Sequence, residues 1–123
     1  MGSASSGLWK SNSGGLGMNA WKNIPTRFPV ASISSIAIQQ TQPSTMYIGT
    51  GEVYNYLGSN GGIATRTLRG SNGIGILKST DGGLNWKISL DWLNKKSTAI
   101  WKIIIHPTNP NIVFAATNLG VYR

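Results

Sequence analysis

Short apolar stretches recur along this chain, alternating with polar residues or running β-branched, and each is closed by Gly, Pro, Asn, Asp or Ser. That period and that punctuation predict strands rather than helices. In the middle of the chain the pattern predicts four of them: A over about 33–39, B over 45–50, C over 74–79 and D over 85–90. A C and a D precede this unit at 7–11 and 20–24, and an A, a B and the start of a C follow it at 99–105, 111–117 and 120–123. Nine strands are expected in all.

The pattern also repeats residue by residue. Ile36-Ala37-Ile38, Thr41, Pro43, Met46-Tyr47-Ile48 and Thr50 return as Ile103-Ile104-Ile105, Thr108, Pro110, Val113-Phe114-Ala115 and Thr117, at a constant offset of 67. Gly7-Leu8-Trp9-Lys10-Ser11 returns as Gly75-Ile76-Leu77-Lys78-Ser79 and begins again as Gly120-Val121-Tyr122-Arg123, at spacings of 68 and 45. The longer spacing contains a glycine-rich stretch, 52–72, with Gly58, Gly61, Gly62 and Gly70, which reads as an inserted loop. A unit of roughly 45 residues with four antiparallel strands is the signature of a β-propeller blade. The expected fold is therefore an all-β partial propeller: a half blade at 7–24, a complete blade at 33–90 and an incomplete one at 99–123. Closing a ring takes roughly four to eight blades. The expectation is accordingly a fragment of a larger propeller or, as runner-up, a chain that closes its ring with further copies of itself, the A–B–C of one completing the C–D of the next.

Ser79-Thr80-Asp81-Gly82-Gly83-Leu84-Asn85-Trp86, between C and D, resembles the Asp-box (BNR repeat), S-x-D-x-G-x-T-W, of sialidase-, sortilin- and xyloglucanase-like propellers, with Asn85 in place of the usual Thr. Ser11-Asn12-Ser13-Gly14-Gly15 followed by Trp21 resembles a degenerate copy with Ser13 at the Asp position. Asn109-Pro110-Asn111-Ile112-Val113-Phe114 and Tyr47-Ile48-Gly49-Thr50-Gly51-Glu52 are similar to the large secreted bacterial members. The resemblance implies an extracellular or cell-envelope location, although residues 1–15 hold no hydrophobic stretch of a signal peptide. The box is expected to be structural: a short carboxylate accepts backbone N–H bonds that a tight turn leaves free, the glycines permit positive φ, and the Trp covers the turn. Ser79, Asp81, Gly83, Asn85 and Trp86 carry that role.

Composition narrows the chemistry. Only 11% of residues are charged, too few for long exposed helices. There is no cysteine and His106 is the single histidine, so thiol chemistry, thiolate zinc and multi-histidine metal sites are excluded and no cofactor is expected. The formal charge of +8 points to anionic partners, but the basic residues are dispersed rather than clustered into a nucleic-acid footprint, and no apolar run approaches a membrane span.

Strand parity then divides the loops between two ends. The A–B and C–D turns share one end with both boxes, while the D–A loops 25–32 and 91–98 and the insert 52–72 share the other. That second end collects Arg27, Glu52, Tyr54, Tyr56, Arg66, Arg69, Asp91, Trp92, Lys95 and Lys96, and these, without Tyr56, are the ligand-binding candidates, with Trp92 read as either a sugar-stacking surface or a residue buried under its loop. The expected function is non-catalytic carbohydrate or protein binding, or scaffolding, at the cell surface. With three acids in the chain, one of them in the box, no catalytic residue is assigned. The alternative is a share in a glycoside hydrolase whose acids lie outside this segment. A sialidase-like site would use residues of the types of Arg27, Arg66, Arg69, Tyr54 and Tyr56, whose positions no motif fixes.

Overall fold

A computed structural model describes residues 1–52, 54–55, 59–60, 63–64, 68–69, 71–95 and 98–123, with backbone alone for the four pieces between 54 and 69. The chain is all-β, and no helix occurs among the described residues. β1 (Gly2–Ser3), β2 (Gly7–Ser11) and β3 (Trp21–Ile24) form a first antiparallel sheet in that order. β4 (Ile33–Ile38) and β5 (Met46–Thr50) open the second, which is completed after the insert. Within the insert, β6 (Tyr54–Asn55), β7 (Ser59–Asn60), β8 (Ile63–Ala64) and β9 (Leu68–Arg69) pair as a nested ladder, Tyr54 opposite Arg69 and Asn60 opposite Ile63. β10 (Gly75–Ser79) and β11 (Lys87–Asp91) complete the second sheet, in the order β11-β10-β5-β4, and β12 (Ile100–Ile105), β13 (Val113–Thr117) and β14 (Gly120–Tyr122) form the third. All neighbours run antiparallel, and none of the three sheets closes on itself.

All nine expected strands are present, and two readings need correction. The stretch 52–72 is not simply a loop, because its ends pair across β6 and β9. The first sheet also holds a third strand: β1 pairs Gly2 with Leu8 and Ser3 with Gly7. It occupies the place beside β2 that the A–B–C strands of another copy were expected to fill.

Packing follows from alternation. β5 is buried throughout because it lies between β4 and β10 and is covered on both sides. Cross-strand register puts Ile36, Ile48, Leu77 and Ile88 on one side of the second sheet and Ala37, Tyr47, Ile76 and Leu90 on the other. The first side, with Met46 and Trp86, packs on Leu8 and Ile24 of the first sheet. The second packs on Ile103, Ala115 and Tyr122 of the third. At this second junction Ser35 Oγ accepts from the N–H of Ile103 at 2.9 Å, and Ser34 Oγ donates to the carbonyls of Ile100 and Gly49. Ser32, fully buried where β4 begins, has a hydroxyl without a partner, and the equivalent position one repeat later is Ala99.

Candidate functional site

Two ends of the sheets differ in chemistry, and backbone hydrogen bonds assign the turns to them. At one end the Ser44 carbonyl, in the β4–β5 turn, accepts from the N–H of Gly82 in the box at 2.9 Å. Gly14, Gly82 and Gly83 border one apolar cleft of about 410 Å³ between the first and second sheets, so both boxes share this end. The box closes as its residue types require. Asp81 Oδ1 accepts from the N–H of Asn85 at 2.9 Å and from the Ser79 hydroxyl at 2.8 Å, and Oδ2 accepts from the Asn85 side-chain amide at 2.8 Å. Ser79 Oγ in turn accepts from the N–H of Gly83 at 2.9 Å, and Trp86 Nε1 donates to the Gly83 carbonyl at 3.1 Å. Gly82 and Gly83 take positive φ. Asn85 therefore supplies a second donor to the carboxylate where the motif usually has Thr.

In the degenerate copy Ser11 keeps the part of Ser79, accepting from the N–H of Gly15 at 2.8 Å, but the Ser13 hydroxyl donates to the Leu16 carbonyl and a carboxylate acceptor is missing. His106 belongs to a turn as well: its Nδ1 accepts from the N–H groups of Thr108 and Asn109.

The backbone N–H of Asn85, then its side-chain amide and the Ser79 hydroxyl, hold the Asp81 carboxyl at about 2, below its ordinary 3.8. A carboxyl whose pKa is depressed by folding adds stability above its unfolded pKa and loses it as pH falls through the folded one. Acid titration of the wild type followed by circular dichroism should therefore show stability falling between about pH 4 and pH 2, and Asp81→Asn should lack that component. Parallel acid transitions in both proteins would refute the role given to the carboxylate.

At the opposite end the β–β connections are clasped together. Thr50 Oγ1 donates to the Gly75 carbonyl at 2.7 Å and accepts from the N–H of Ile74 at 2.9 Å, so the insert leaves and rejoins the sheet at one hydroxyl. Thr117 repeats the clasp on the Gly120 carbonyl and the N–H of Leu119. Gly51 donates to the Ser32 carbonyl, and Gly73 both donates to the Thr98 carbonyl and accepts from its hydroxyl. The 25–32 and 91–98 loops thus meet the base of the insert, as strand parity requires.

Arg27, Asp91 and Lys95 are exposed at this end and Glu52 is half-buried. Arg27 holds φ of 62°, the one positive φ outside glycine among the described residues. Asp91 caps its own turn, Oδ1 accepting from the N–H of Leu93 at 3.0 Å. Tyr54 and Arg69 stand in β6 and β9, opposite each other in register, whereas Tyr56, Arg66 and Lys96 lie outside the described residues.

The stacking reading of Trp92 is corrected. It is 2% exposed, packed edge-on against Tyr122 with ring centroids 5.3 Å apart, and Lys95 Nζ lies 5.4 Å from its ring centre. No ring face is open to a sugar. An exposed indole does exist nearby and was not singled out from the sequence: Trp101, 58% exposed, stands at the start of β12, where the register with β13 slips between Ile100 and Lys102. Such a bulge turns its extra residue out of the alternation. The one sequence signal was that Trp101 falls where the preceding repeat has Ser34.

Among the described residues no three His, Asp or Glu side chains come together as a metal site, and no helix is long and apolar enough to cross a membrane. Protein-family models, curated proteins and solved structures were compared with this chain, and none matches.

Proposed function

We propose that the three sheets are consecutive blades of an Asp-box β-propeller, and that the clasped end binds carbohydrate or protein without catalysing a reaction. The proposed setting is the cell surface or the extracellular space, as for the families the box resembles. Supporting the blade reading are the sheet order β11-β10-β5-β4, the antiparallel neighbours and the box between the third and fourth strands of the complete unit.

The observation that carries the binding reading is Trp101. Its indole is 58% exposed at the start of β12, beside the 91–98 connection, and an indole face can cover the apolar face of a sugar. Arg27 and Lys95, exposed at the same end, suit an anionic partner, because a guanidinium can bond a carboxylate or sulfate through two N–H groups at once.

The test is titration of a panel of neutral and acidic glycans against wild type, Trp101→Ala and Arg27→Ala, with Lys10→Ala/Lys22→Ala as a control from the first sheet. Trp101→Ala should weaken every glycan that binds. Arg27→Ala should weaken only the acidic ones, by roughly tenfold to a hundredfold if a charged hydrogen bond of about 1.5–3 kcal/mol is lost. Unchanged melting temperatures should accompany both losses. Binding that survives Trp101→Ala, or falls equally in the control, would refute the assignment.

A further inference from the structure

The two junctions between the sheets are built alike. The repeat makes Leu8, Ile76 and Val121 equivalent, and likewise Trp9, Leu77 and Tyr122. At the first junction the Leu8 side of the first sheet packs on the Leu77 side of the second, and at the second junction the Ile76 side of the second packs on the Tyr122 side of the third. Each sheet therefore presents its Leu8-type side to the Leu77-type side of the sheet that follows.

Carried to its ends, this rule leaves one side of each kind uncovered. On the third sheet it is the Val121 side, with Phe114 and Ile104 in register on β13 and β12. Val121 is 75% exposed where its equivalent Ile76 is 6%, and Phe114 is 38% exposed where Tyr47 is 7%. On the first sheet it is the Trp9 side, which register shares with Asn23 and Trp21. Trp21 is 42% exposed where its counterpart in the complete box, Trp86, is 8%. At the Val121, Phe114 and Trp21 positions the residue is buried where a neighbouring sheet covers it and open where none does, whereas Trp9, whose Nε1 donates to the Ser6 carbonyl, is half-buried.

We infer that copies of this chain associate head to tail, the Val121 side of the third sheet in one copy packing on the Trp9–Trp21 side of the first sheet in the next. The occupant is a second copy because the side left over at one end is of the type that the side at the other end receives at both internal junctions. This is face-to-face packing and not strand exchange, since β1 already occupies the edge beside β2. Such a contact is heterologous, so it propagates into a ring or a filament instead of stopping at a symmetric dimer. With +8 on every copy, association strengthens as salt screens the charge. Trp101, at the position that Ser34 holds in the second junction, borders the same side of the third sheet, so the glycan titrations are to be made in dilute protein, where no second copy covers it.

Sedimentation velocity over a concentration series tests it, on wild type, on Phe114→Lys/Val121→Lys, which blocks the third sheet, and on Trp21→Lys, which blocks the first. Asn23→Lys, on the same side as Trp21, replaces Trp21→Lys should that variant lose its circular dichroism spectrum. Wild type should grow beyond a dimer with concentration and with salt. Each blocked variant alone should stay monomeric. An equimolar mixture of the two should stop at a one-to-one dimer, because it contains one intact pair of sides. A monomeric wild type would overturn the inference, and so would a blocked variant that still self-associates, which would mean a symmetric contact, or a mixture that stays monomeric.

Discussion

Trp86→Ala should cost about 3–5 kcal/mol of stability in urea unfolding, the range for truncating a buried Trp or Phe, and should be among the most damaging single changes in the chain. The indole is buried between the first and second sheets with Leu77, Met46 and Leu8, and its Nε1 bond to the Gly83 carbonyl fixes the turn whose glycine lies beneath the ring. Truncation therefore opens a cavity and removes a hydrogen bond of the turn together. Trp21 offers the internal comparison. It packs on Gly15 in the same manner but is nearly half open to solvent, so Trp21→Ala should cost about 1–2 kcal/mol, the transfer of a partly buried side chain. Equal losses from the two substitutions would contradict the assignment of Trp86 to a sheet junction. The comparison is to be made in dilute protein, where no second copy covers Trp21.

Ile100→Ala should cost about 2–5 kcal/mol, and its effect should concentrate in the third sheet. Ile100 is fully buried at the second junction, directly over Gly49, where a Cβ would meet Ile100 Cγ2 at 2.6 Å. Gly49 cannot move in to fill the space, because it is paired on one side with Ser35 and on the other with Ile76. Hydrogen exchange should show β12–β14 opening at lower free energy than β4, β5 and β10, which stay packed on the first sheet. Uniform loss of protection across all three sheets would mean that the second junction is not a separable contact.

Alternation and turn residues made the long strands legible. β2 was read at its observed bounds, and β4, β5, β10 and β12 within one residue, because each has one side in a core and a period of two is all that such a strand needs. The box was legible because its geometry is local: every group that Asp81 and Ser79 bind lies within four residues of them. What escaped depends on distant partners. β1 is two residues of Gly and Ser with no apolar pattern, and it exists through pairing to β2. Trp92 and Trp101 look alike in sequence, each in or just after a D–A loop. Tyr122, thirty positions further along, covers the first, and a register slip turns the second outward. Parity counted the ends correctly without saying which side chains stay open.

The paired threonine clasps have an evolutionary consequence. Thr50 and Thr117 each tie a connection back to its own sheet, yet the first spans the whole glycine-rich insert and the second only Asn118 and Leu119. The sheet responds to the clasp and not to the length of what lies outside it, and lengthening a closed loop costs only about 0.6 kcal/mol per doubling. The segment beyond Thr50 is in this sense a cassette. It can be exchanged, extended or diversified by selection or by an engineer, and the β-scaffold beneath would carry each new surface with its own pairing intact.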